Sequence, residues 1–500
     1  MARPLICLCL TGKTLAEDAA IAERYKSYVD LVELRVDFLE ENERLKARVF
    51  PSMVPMPCIL TIRRVSDGGQ YDEGEGSRTI LFAMAMSFSA KQEKVFDYVD
   101  FEEDFNVPSL NDAALAFGIK IIRSFHDMHN PVKNIAERIE KMRKTGFEIP
   151  KIAFMPHDLS DIADLAKEVA DLKDSEQIIC AMGSFGLPTR ILSERFNSYL
   201  TYTSPAELLS NLSDIGHLDP KTLCELYRFK DMNKDTMLFG ITGFPLKVTS
   251  SPLIHNTRFK TNNMNAVYIP FKADTAKSAF DFVQTMGIKG FSVTVPHKEE
   301  IIKFLDKVDH KVEDIGACNT VVYENDAWVG YNTDCTGFAR SLLSFTGLET
   351  LRGKRVAIIG AGGAAKAICY VVKELGAKAC IFNRTLVKAR LLAEKYGFES
   401  ESLDAGTAFV KLKKYSDIII QTTSKGMGNT DEPNEVNDPL WFYDFAGTEI
   451  VYDIIYEPES TAMLTRARRA GCRVCNGYSM LEFQGEEQAK LFQKIYGENS

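Results

Sequence analysis

Charged side chains lie inside or just after short apolar runs along the first two hundred residues: Glu33, Arg35 and Asp37, then Arg63, Glu102, Arg123, His126, Lys151 and Arg190. A charge in an apolar run needs a partner or a ligand, because a bare charge in a low-dielectric interior is costly. Carboxylates, guanidiniums, an imidazole and an amine are also the groups that hold an anion and move protons. Structural readings stand beside the chemical one. Glu33, Arg35 and Asp37 share one strand face by the two-residue period and could form an ion-pair cluster. Lys151, ahead of Ile-Ala-Phe-Met, reads on spacing as an exposed lysine at a strand start, and His126 reads equally as a satisfied structural histidine.

Farther along, Arg355-Val-Ala-Ile-Ile runs straight into Gly360-Ala361-Gly362-Gly363-Ala364-Ala365, and Lys-Ala-Ile-Cys-Tyr-Val-Val opens a helix. This is G-x-G-x-x-A between a strand and a helix, with a second strand expected at Ala379 to Phe382. Glycines there permit the tight turn and let backbone amides at the helix start approach a pyrophosphate. The second strand ends in Asn383-Arg384-Thr385, where an NAD site would carry Asp or Glu for the ribose hydroxyl; arginine suits a 2′-phosphate, so the expected cofactor is NADP. Ahead of this motif lie Thr249, Ser251, Thr294, Lys298, Asn319, Thr333 and Asp334. They are polar where a small polyol acid would need them, although each alone reads as a cap or turn residue. Cys472 and Cys475 form a single C-x-x-C with no second pair, and the histidines are isolated from ligand clusters, so no metal is expected.

The elements that must position these groups follow from the apolar pattern. Runs recur at Leu5 to Leu10, Leu31 to Val36, Cys58 to Ile62, Tyr98 to Phe101, Ile119 to Ile122, Ile152 to Met155, Ile178 to Met182 and Tyr199 to Tyr202. Amphipathic stretches such as Val132 to Lys144 and Ile162 to Leu172 separate most of them, as in parallel βα units. Eight such units in about 205 residues is the arithmetic of a (β/α)8 TIM barrel, whose chemistry collects at the carboxyl ends of the strands. After Phe229 the chain turns polar, and a new strand begins at Leu238. Apolar runs at Ala266 to Ile269, Phe291 to Val295 and Thr320 to Tyr323 give a second α/β unit, followed by the Rossmann motif.

At ~150 residues per domain, 500 residues allow about three domains, and 45% hydrophobic with 26% charged residues is ordinary for a globular chain. With 69 acidic and 60 basic residues the net charge is -9, so no bulk attraction to nucleic acid or anionic lipid is expected. The longest apolar runs fall far short of the ~20 residues that span a bilayer. The amino terminus reaches Thr-Gly-Lys by residue 13 without signal or transit character, and the 11 cysteines suit reduced, packed thiols. The expected setting is the cytoplasm, and the expected partners are small molecules, with neither nucleic acid nor membrane.

Several strings carry a resemblance. Glu-Leu-Arg-Val-Asp (33 to 37), Thr-Ile-Arg followed by Asp67-Gly-Gly, Ser-Phe-His-Asp (124 to 127), Lys-Ile-Ala-Phe-Met-Pro (151 to 156) and Met-Gly-Ser-Phe-Gly-Leu-Pro-Thr-Arg (182 to 190) resemble type I 3-dehydroquinate dehydratases. The resemblance implies a Schiff-base lysine at Lys151 and His126 as general acid and base, with Asp67 behind it where relatives usually carry Glu. It sets Arg190 on the substrate carboxylate and Glu33, Arg35 and Arg63 around the ring hydroxyls. Chemically, an iminium formed by lysine acidifies the adjacent C–H, provided the amine is first unprotonated; nearby arginines would lower its pKa. A lid of Ser-Ala-Pro-Gly-Gln type is matched here by Ser213-Asp-Ile-Gly-His217, histidine replacing glutamine, so a weakened or retuned dehydratase, not a dead one, is expected.

Ser251-Pro-Leu-Ile-His-Asn, Val-Thr-Val-Pro-His-Lys (293 to 298), Gly-Ala-Cys-Asn-Thr (316 to 320), Gly-Tyr-Asn-Thr-Asp (330 to 334), Tyr456-Glu-Pro and Gln484 resemble shikimate dehydrogenases. That resemblance implies a Lys298–Asp334 pair at the reacting oxygen and Thr249 and Ser251 on the substrate carboxylate. It implies Asn319, Thr333 and Gln484 on ring hydroxyls, adds Thr294 and Tyr456 to the substrate set, and joins Gly477 to the cofactor residues. Relatives commonly have His-Ser-x-Ser where this chain has Val248-Thr-Ser-Ser, which keeps the hydroxyls. The implied layout is a dehydratase barrel over 1–228, a substrate-binding domain over 236–336, a Rossmann domain over 337–470 and a carboxyl-terminal helix over 471–500 that returns to the substrate domain. Together the halves imply dehydration of 3-dehydroquinate and NADPH-dependent reduction of 3-dehydroshikimate to shikimate. Two rivals are a second half acting on quinate and a catalytically silent sensor of these intermediates. Retention of Lys151, His126, Lys298 and Asp334 argues against the sensor.

Overall fold

The computed structural model describes residues 3–87, 94–143, 145–172, 176–246 and 249–499; Val248 and the side chains of Ser213, Asp214 and Asn499 lie outside that description. Eight strands form the first sheet: β1 (Leu5–Leu10), β2 (Leu31–Arg35), β3 (Cys58–Thr61), β4 (Tyr98–Glu102), β5 (Lys120–Asp127), β6 (Glu148–Phe154), β7 (Ile178–Ala181) and β8 (Leu200–Thr203). They run in the order β7-β6-β5-β4-β3-β2-β1-β8, and every neighbouring pair is parallel. The barrel is nearly closed, for the Tyr199 N–H donates to the Gln177 carbonyl at 2.6 Å just ahead of β8 and β7.

Each apolar run expected as a strand is one, but three boundaries differ where charges interrupt the pattern. β6 starts at Glu148, so Lys151 sits in mid-strand and is 5% exposed, not at an exposed strand start. β5 continues through His126 to Asp127. β2 stops at Arg35, and a 3-10 turn over Val36–Phe38 takes Asp37 off the strand face. Asp37 there accepts both Nε (3.0 Å) and Nη2 (2.8 Å) of Arg35, so two of the expected trio form a local ion pair.

The outer helices are uneven. After β2 come only short pieces, Glu41–Arg44 and a 3-10 segment Ala47–Ser52. After β6 a full helix, Leu159–Val169, opens with a capping box between Asp158 and Asp161 and buries Leu159, Ile162, Leu165 and Val169 toward the barrel.

The first compact unit runs through Ile288 and also holds β9 (Met237–Thr242) and β10 (Ala266–Pro270), a parallel pair. Within this unit the helix Ala276–Met286 packs against Leu159–Val169, and the short helix Leu187–Ile191 packs against β10.

The second unit, from Lys289 onward, begins with β11 (Gly290–Val293), β12 (Lys307–Val308), β13 (Thr320–Glu324) and β14 (Ala327–Tyr331), in the order β11-β13-β14-β12. β13 is antiparallel to β11 and β14. Asn325 and Asp326 close the β13–β14 hairpin with φ of 49° and 58°, a conformation Asn and Asp tolerate. Six parallel strands follow: β15 (Arg355–Ile359), β16 (Lys378–Asn383), β17 (Glu399–Ser402), β18 (Ile418–Gln421), β19 (Ile450–Asp453) and β20 (Arg473–Cys475). Their order, β17-β16-β15-β18-β19-β20, reverses between β15 and β18, which opens a crevice at the carboxyl ends of those two strands.

Two expected borders are shifted by the elements themselves. The border at 336 and 337 falls inside the 14-residue helix Thr333–Thr346. β20 belongs to the Rossmann-type sheet, so the last helix starts only at Tyr478. That helix crosses Thr333–Thr346 closely: a Cβ on Gly337 would come within 2.7 Å of Gln484 Cβ.

Candidate active sites

At the carboxyl ends of the barrel strands one cavity is lined by Glu33, Arg35, Arg63, Asp67, His126, Lys151, Arg190 and His217, with Tyr202, Cys9 and Met182 among its less polar walls. Its centre is a buried charge network. Lys151 Nζ lies 2.9 Å from Asp100 Oδ2 and 3.9 Å from Glu33 Oε1, and 4.4 Å above the Tyr202 ring. Asp100 also meets Arg63 Nη2 at 2.8 Å and accepts from Ser124 Oγ at 2.6 Å. Arg63 Nη1 reaches Glu102 at 2.7 Å, and Glu102 is shared with the fully buried Arg78. Glu33 accepts from Thr61 Oγ1 at 2.8 Å. Burial alone would push the Asp100 carboxyl up, but Arg63 and Lys151 outweigh it and hold it well below the usual carboxylate range. The arginines expected near Lys151 are not its nearest charges, which are carboxylates.

His126 is held well below its ordinary 6.5, first by burial and then by Arg63 and Lys151, so the ring is neutral at pH 7. Asp67 does not stand behind it. Asp67 accepts from Arg64 Nε at 2.9 Å and from Ser66 Oγ at 2.7 Å, while His126 Nδ1 has no hydrogen-bond partner among the described residues. The short 3-10 turn Val65–Asp67 places the carboxylate three residues from Arg64, and that local pair wins.

Arg190 is 2% exposed; its Nη2 donates to the Ile215 carbonyl at 3.1 Å, while Nε and Nη1 have no partner among the described residues. Two unsatisfied N–H groups on a buried guanidinium lining a cavity suit an anion. His217 approaches Ser204 Oγ through Nδ1 at 2.7 Å and lies nearly parallel to Tyr202, at 8° and 6.4 Å between centroids. Burial, then Arg190, keeps it well below 6.5.

In the second unit, Lys298 Nζ is 2.6 Å from Asp334 Oδ2, and Asn319 Nδ2 donates to Asp334 Oδ1 at 2.7 Å. Asn332 caps the helix Thr333–Thr346 by accepting from the Cys335 N–H, which puts Asp334 in a first turn where a carboxylate is favoured. Asn319 Oδ1 accepts from the Thr333 N–H at 2.8 Å and from Thr320 Oγ1 at 2.9 Å. Thr333 Oγ1 donates to Gln484 Oε1 at 3.4 Å, and Gln488 Nε2 to Thr320 Oγ1 at 2.9 Å. Thr320 and Gln488, unlike the other members, were not expected. Thr294 lends its carbonyl to the His297 N–H, and Tyr456 is half-buried. Thr249 and Ser251, in the first unit, bind each other at 3.2 Å.

The glycine motif fits a dinucleotide. Gly360 follows β15 with φ of 114°, and a Cβ there would meet Thr422 Oγ1 at 2.4 Å. At Gly362 and Gly363 a Cβ would meet nothing within 4 Å, and no side chain caps the helix Gly363–Glu374, leaving room at its amides for a pyrophosphate. Ala361 and Ala364 complete the turn. Asn383 Nδ2 donates to the Thr385 carbonyl at 2.9 Å, and Arg384 and Thr385 are exposed. Gly477 has a packing role: a Cβ would come within 1.9 Å of the Ile454 carbonyl oxygen. Among the described residues no group of His, Cys, Asp and Glu could hold a metal ion, and no helix is long and apolar enough to cross a membrane.

Residues 6–234 match the type I 3-dehydroquinase family, 241–321 the shikimate dehydrogenase substrate binding domain, and 343–430 the shikimate / quinate 5-dehydrogenase family. A chloroplastic bifunctional 3-dehydroquinate dehydratase/shikimate dehydrogenase of Arabidopsis thaliana is 32% identical over 98% of this chain and 82% of its own length. A shikimate dehydrogenase (NADP(+)) of Caldanaerobacter subterraneus subsp. tengcongensis is 41% identical over 50% of this chain and 89% of its own. A crystal structure of shikimate dehydrogenase from Aquifex aeolicus is 34% identical, covering 54% of this chain and 98% of that one, with a TM-score of 0.47.

Proposed function

The chain belongs to the family of bifunctional 3-dehydroquinate dehydratase/shikimate dehydrogenases, and from that premise we propose how its residues divide the work. It is a shikimate-pathway enzyme, a type I dehydroquinase in its amino-terminal half and an NADP-dependent shikimate dehydrogenase in the remainder.

In the barrel, Lys151 is the imine-forming residue. Its ammonium must first lose a proton, and neutral His126 in the same cavity is a base that can take it. Nitrogen bonds to the substrate ketone carbon, and the carbonyl oxygen leaves as water with one proton from that nitrogen and one returned by His126, which leaves an iminium and a neutral imidazole. His126 then removes the proton from the adjacent carbon and returns it to the departing hydroxyl, which leaves as a second water. Hydrolysis of the imine releases 3-dehydroshikimate and restores Lys151. Arg190 holds the carboxylate, with Glu33, Arg35, Arg63 and His217 around the ring. The observation that carries this reading is a buried amine beside a neutral imidazole, in a cavity whose guanidinium keeps two N–H groups unsatisfied.

In the second half, Lys298 supplies the proton to the substrate oxygen and Asp334 holds the ammonium in place. Thr249 and Ser251 take the carboxylate; Asn319, Thr333, Gln484, Thr294 and Tyr456 surround the hydroxyls. Gly360 to Ala364 would cradle the pyrophosphate of NADPH, and Asn383, Arg384 and Thr385 its 2′-phosphate; bound there, the cofactor would supply the hydride. We propose a dehydratase barrel over 1–228 and a substrate-binding domain from 236, with the helix Thr333–Thr346 leading into a Rossmann domain that runs through β20 and a last helix from Tyr478. We assign the enzyme to the cytoplasm, a reading supported by 11 free cysteines.

Borohydride reduction in the presence of 3-dehydroquinate tests the dehydratase half: added mass on the peptide carrying Lys151 is expected, and mass elsewhere or nowhere overturns the assignment. Oxidation of shikimate assayed beside quinate tests the other half, with shikimate expected to dominate.

A further inference from the structure

Lys272 stands two residues beyond β10, outside the barrel sheet. Its Nζ donates to Ser184 Oγ at 3.0 Å and sits 4.5 Å above the Phe185 ring and 5.1 Å above the Phe244 ring. The two rings are stacked at 21° with centroids 6.5 Å apart. All four residues belong to the first compact unit, and among the described residues the hydrogen-bond partner of Lys272 is a hydroxyl and not a carboxylate. A lysine that spends its charge on two aromatic faces and a hydroxyl holds segments together instead of neutralising an acid.

The segment it grips leads directly to the barrel's anion site. Ser184 and Phe185 lie in the loop between β7 and the helix Leu187–Ile191, which carries Arg190. That loop cannot slide independently of the helix. Gly186 is so close to the end of β7 that a Cβ would meet the Ala181 carbonyl oxygen at 2.4 Å, and Thr189 Oγ1 binds both the Ala181 N–H and the Gly186 carbonyl. The Gly183 N–H and Arg190 Nη2 both donate to the Ile215 carbonyl, each at 3.1 Å. On its other side, Lys272 is tied to the Phe244 loop by the Ala273 N–H on the Gly243 carbonyl at 3.3 Å.

We infer that Lys272 is a positioning residue for the dehydratase: clasped with Phe244, it steadies the β7 loop and so fixes Arg190, which makes carboxylate binding in the barrel depend on residues supplied by the segment after it. This rests on the assignment of Arg190 to the substrate carboxylate. Such an interaction is shared by ground and transition states, so its loss appears in KM and not in kcat.

The test is Lys272→Met in the full chain, with Lys272→Arg as the conservative variant. Lys272→Met is expected to raise KM for 3-dehydroquinate three- to tenfold, with kcat within twofold and an unchanged thermal midpoint, and Lys272→Arg to restore KM. Calorimetric binding of 3-dehydroquinate to a Lys151→Met chain, with and without Lys272→Met, reads the site without turnover and should weaken by the same factor. Unchanged KM and binding, or a loss in kcat alone, or no rescue by arginine, overturns the inference. A parent chain that binds 3-dehydroquinate without dehydrating it would count against the earlier reading and leave this one to the binding result.

Discussion

The two lysines proposed as catalytic work in opposite surroundings. Lys151 and Asp100 are 6% and 0% exposed at the side chain and belong to a network that includes Arg63, Glu102, Arg78 and Glu33. Lys298 and Asp334 are 16% and 12% exposed, and their polar neighbours Asn319, Thr333 and Gln484 are uncharged. The difference fits the proposed chemistry. Imine formation requires a lysine to give up its own proton inside a closed site, so every buried charge there needs a fixed counter-charge. Proton delivery to an alkoxide needs only an ammonium held in place, and one carboxylate at a helix start is sufficient. The barrel achieves its order through strand positions two residues apart, the second site through a cap and a hairpin.

The largest effect that separates the two sites comes from Lys151→Met. Dehydratase turnover should fall by about 10^3-fold or more, since no neighbouring group can replace the covalent step, while shikimate oxidation stays near the parent value. An equal fall in both activities, measured on one preparation, would contradict independent sites. Because Asp100 and Glu33 lose the Lys151 charge, Asp100 keeping only Arg63, this variant should also be less stable, on the order of 3–5 kcal/mol for a broken buried pair.

Lys298→Ala is the mirror test and a smaller one. General-acid catalysis contributes about 10^2- to 10^4-fold, so shikimate oxidation should drop within that range and the dehydratase should be untouched. The stability cost should be modest, because Asp334 keeps Asn319 and its helix start. If Lys298→Ala destabilised the chain as much as Lys151→Met does, the contrast between the two electrostatic settings would be wrong.

Both sites were partly legible in the sequence, and the missing parts share a cause. Strands and glycine turn were readable because apolar runs and G-x-G-x-x-A are local signals. Asp100 was overlooked because Tyr-Val-Asp-Phe-Glu reads as an apolar run ending in Glu102, though an acid between Val99 and Phe101 on the face of Glu102 is itself a sign of a buried partner. Thr320 and Gln488 meet only across 168 residues of chain, and no spacing rule reaches so far. The misplacement of Asp67 has the reverse origin: resemblance supplied a role, but the preceding Arg64 captured the carboxylate. Gly477 was joined to the cofactor residues by resemblance, and the Ile454 carbonyl supplies a packing reason for a glycine there.

A smaller effect tests the cofactor half. Arg384 is exposed at the end of β16, so replacing it by Ala should cost little stability. If it takes the 2′-phosphate, a surface charge-assisted contact of about 1.5–3 kcal/mol is lost, and the preference for NADPH over NADH should shrink by roughly ten- to a hundredfold through KM for NADPH alone. A KM for NADPH that does not move assigns the phosphate to another residue.

The smallest effect bears most directly on the closed character of the barrel. An ordinary imidazole of pKa 6.5 would be about nine-tenths neutral at pH 7.5 and about one-quarter neutral at pH 6, so a base of that kind would lose roughly fourfold in kcat/KM over the interval. His126 is held well below 6.5 by burial, Arg63 and Lys151, and must remain neutral throughout. Dehydratase kcat/KM should therefore fall by less than about twofold between pH 7.5 and 6, with its acid limb displaced to lower pH. Stability moves the other way. The unfolded chain binds the proton near 6.5 while the folded chain refuses it, so His126 and His217 make the fold less stable as pH drops below 6.5. A dehydratase that stays active at pH 6 while its thermal midpoint declines is the signature of imidazoles kept neutral by burial. A fourfold loss of kcat/KM with a steady midpoint would mean that His126 titrates as it does in water and that the cavity is open to solvent.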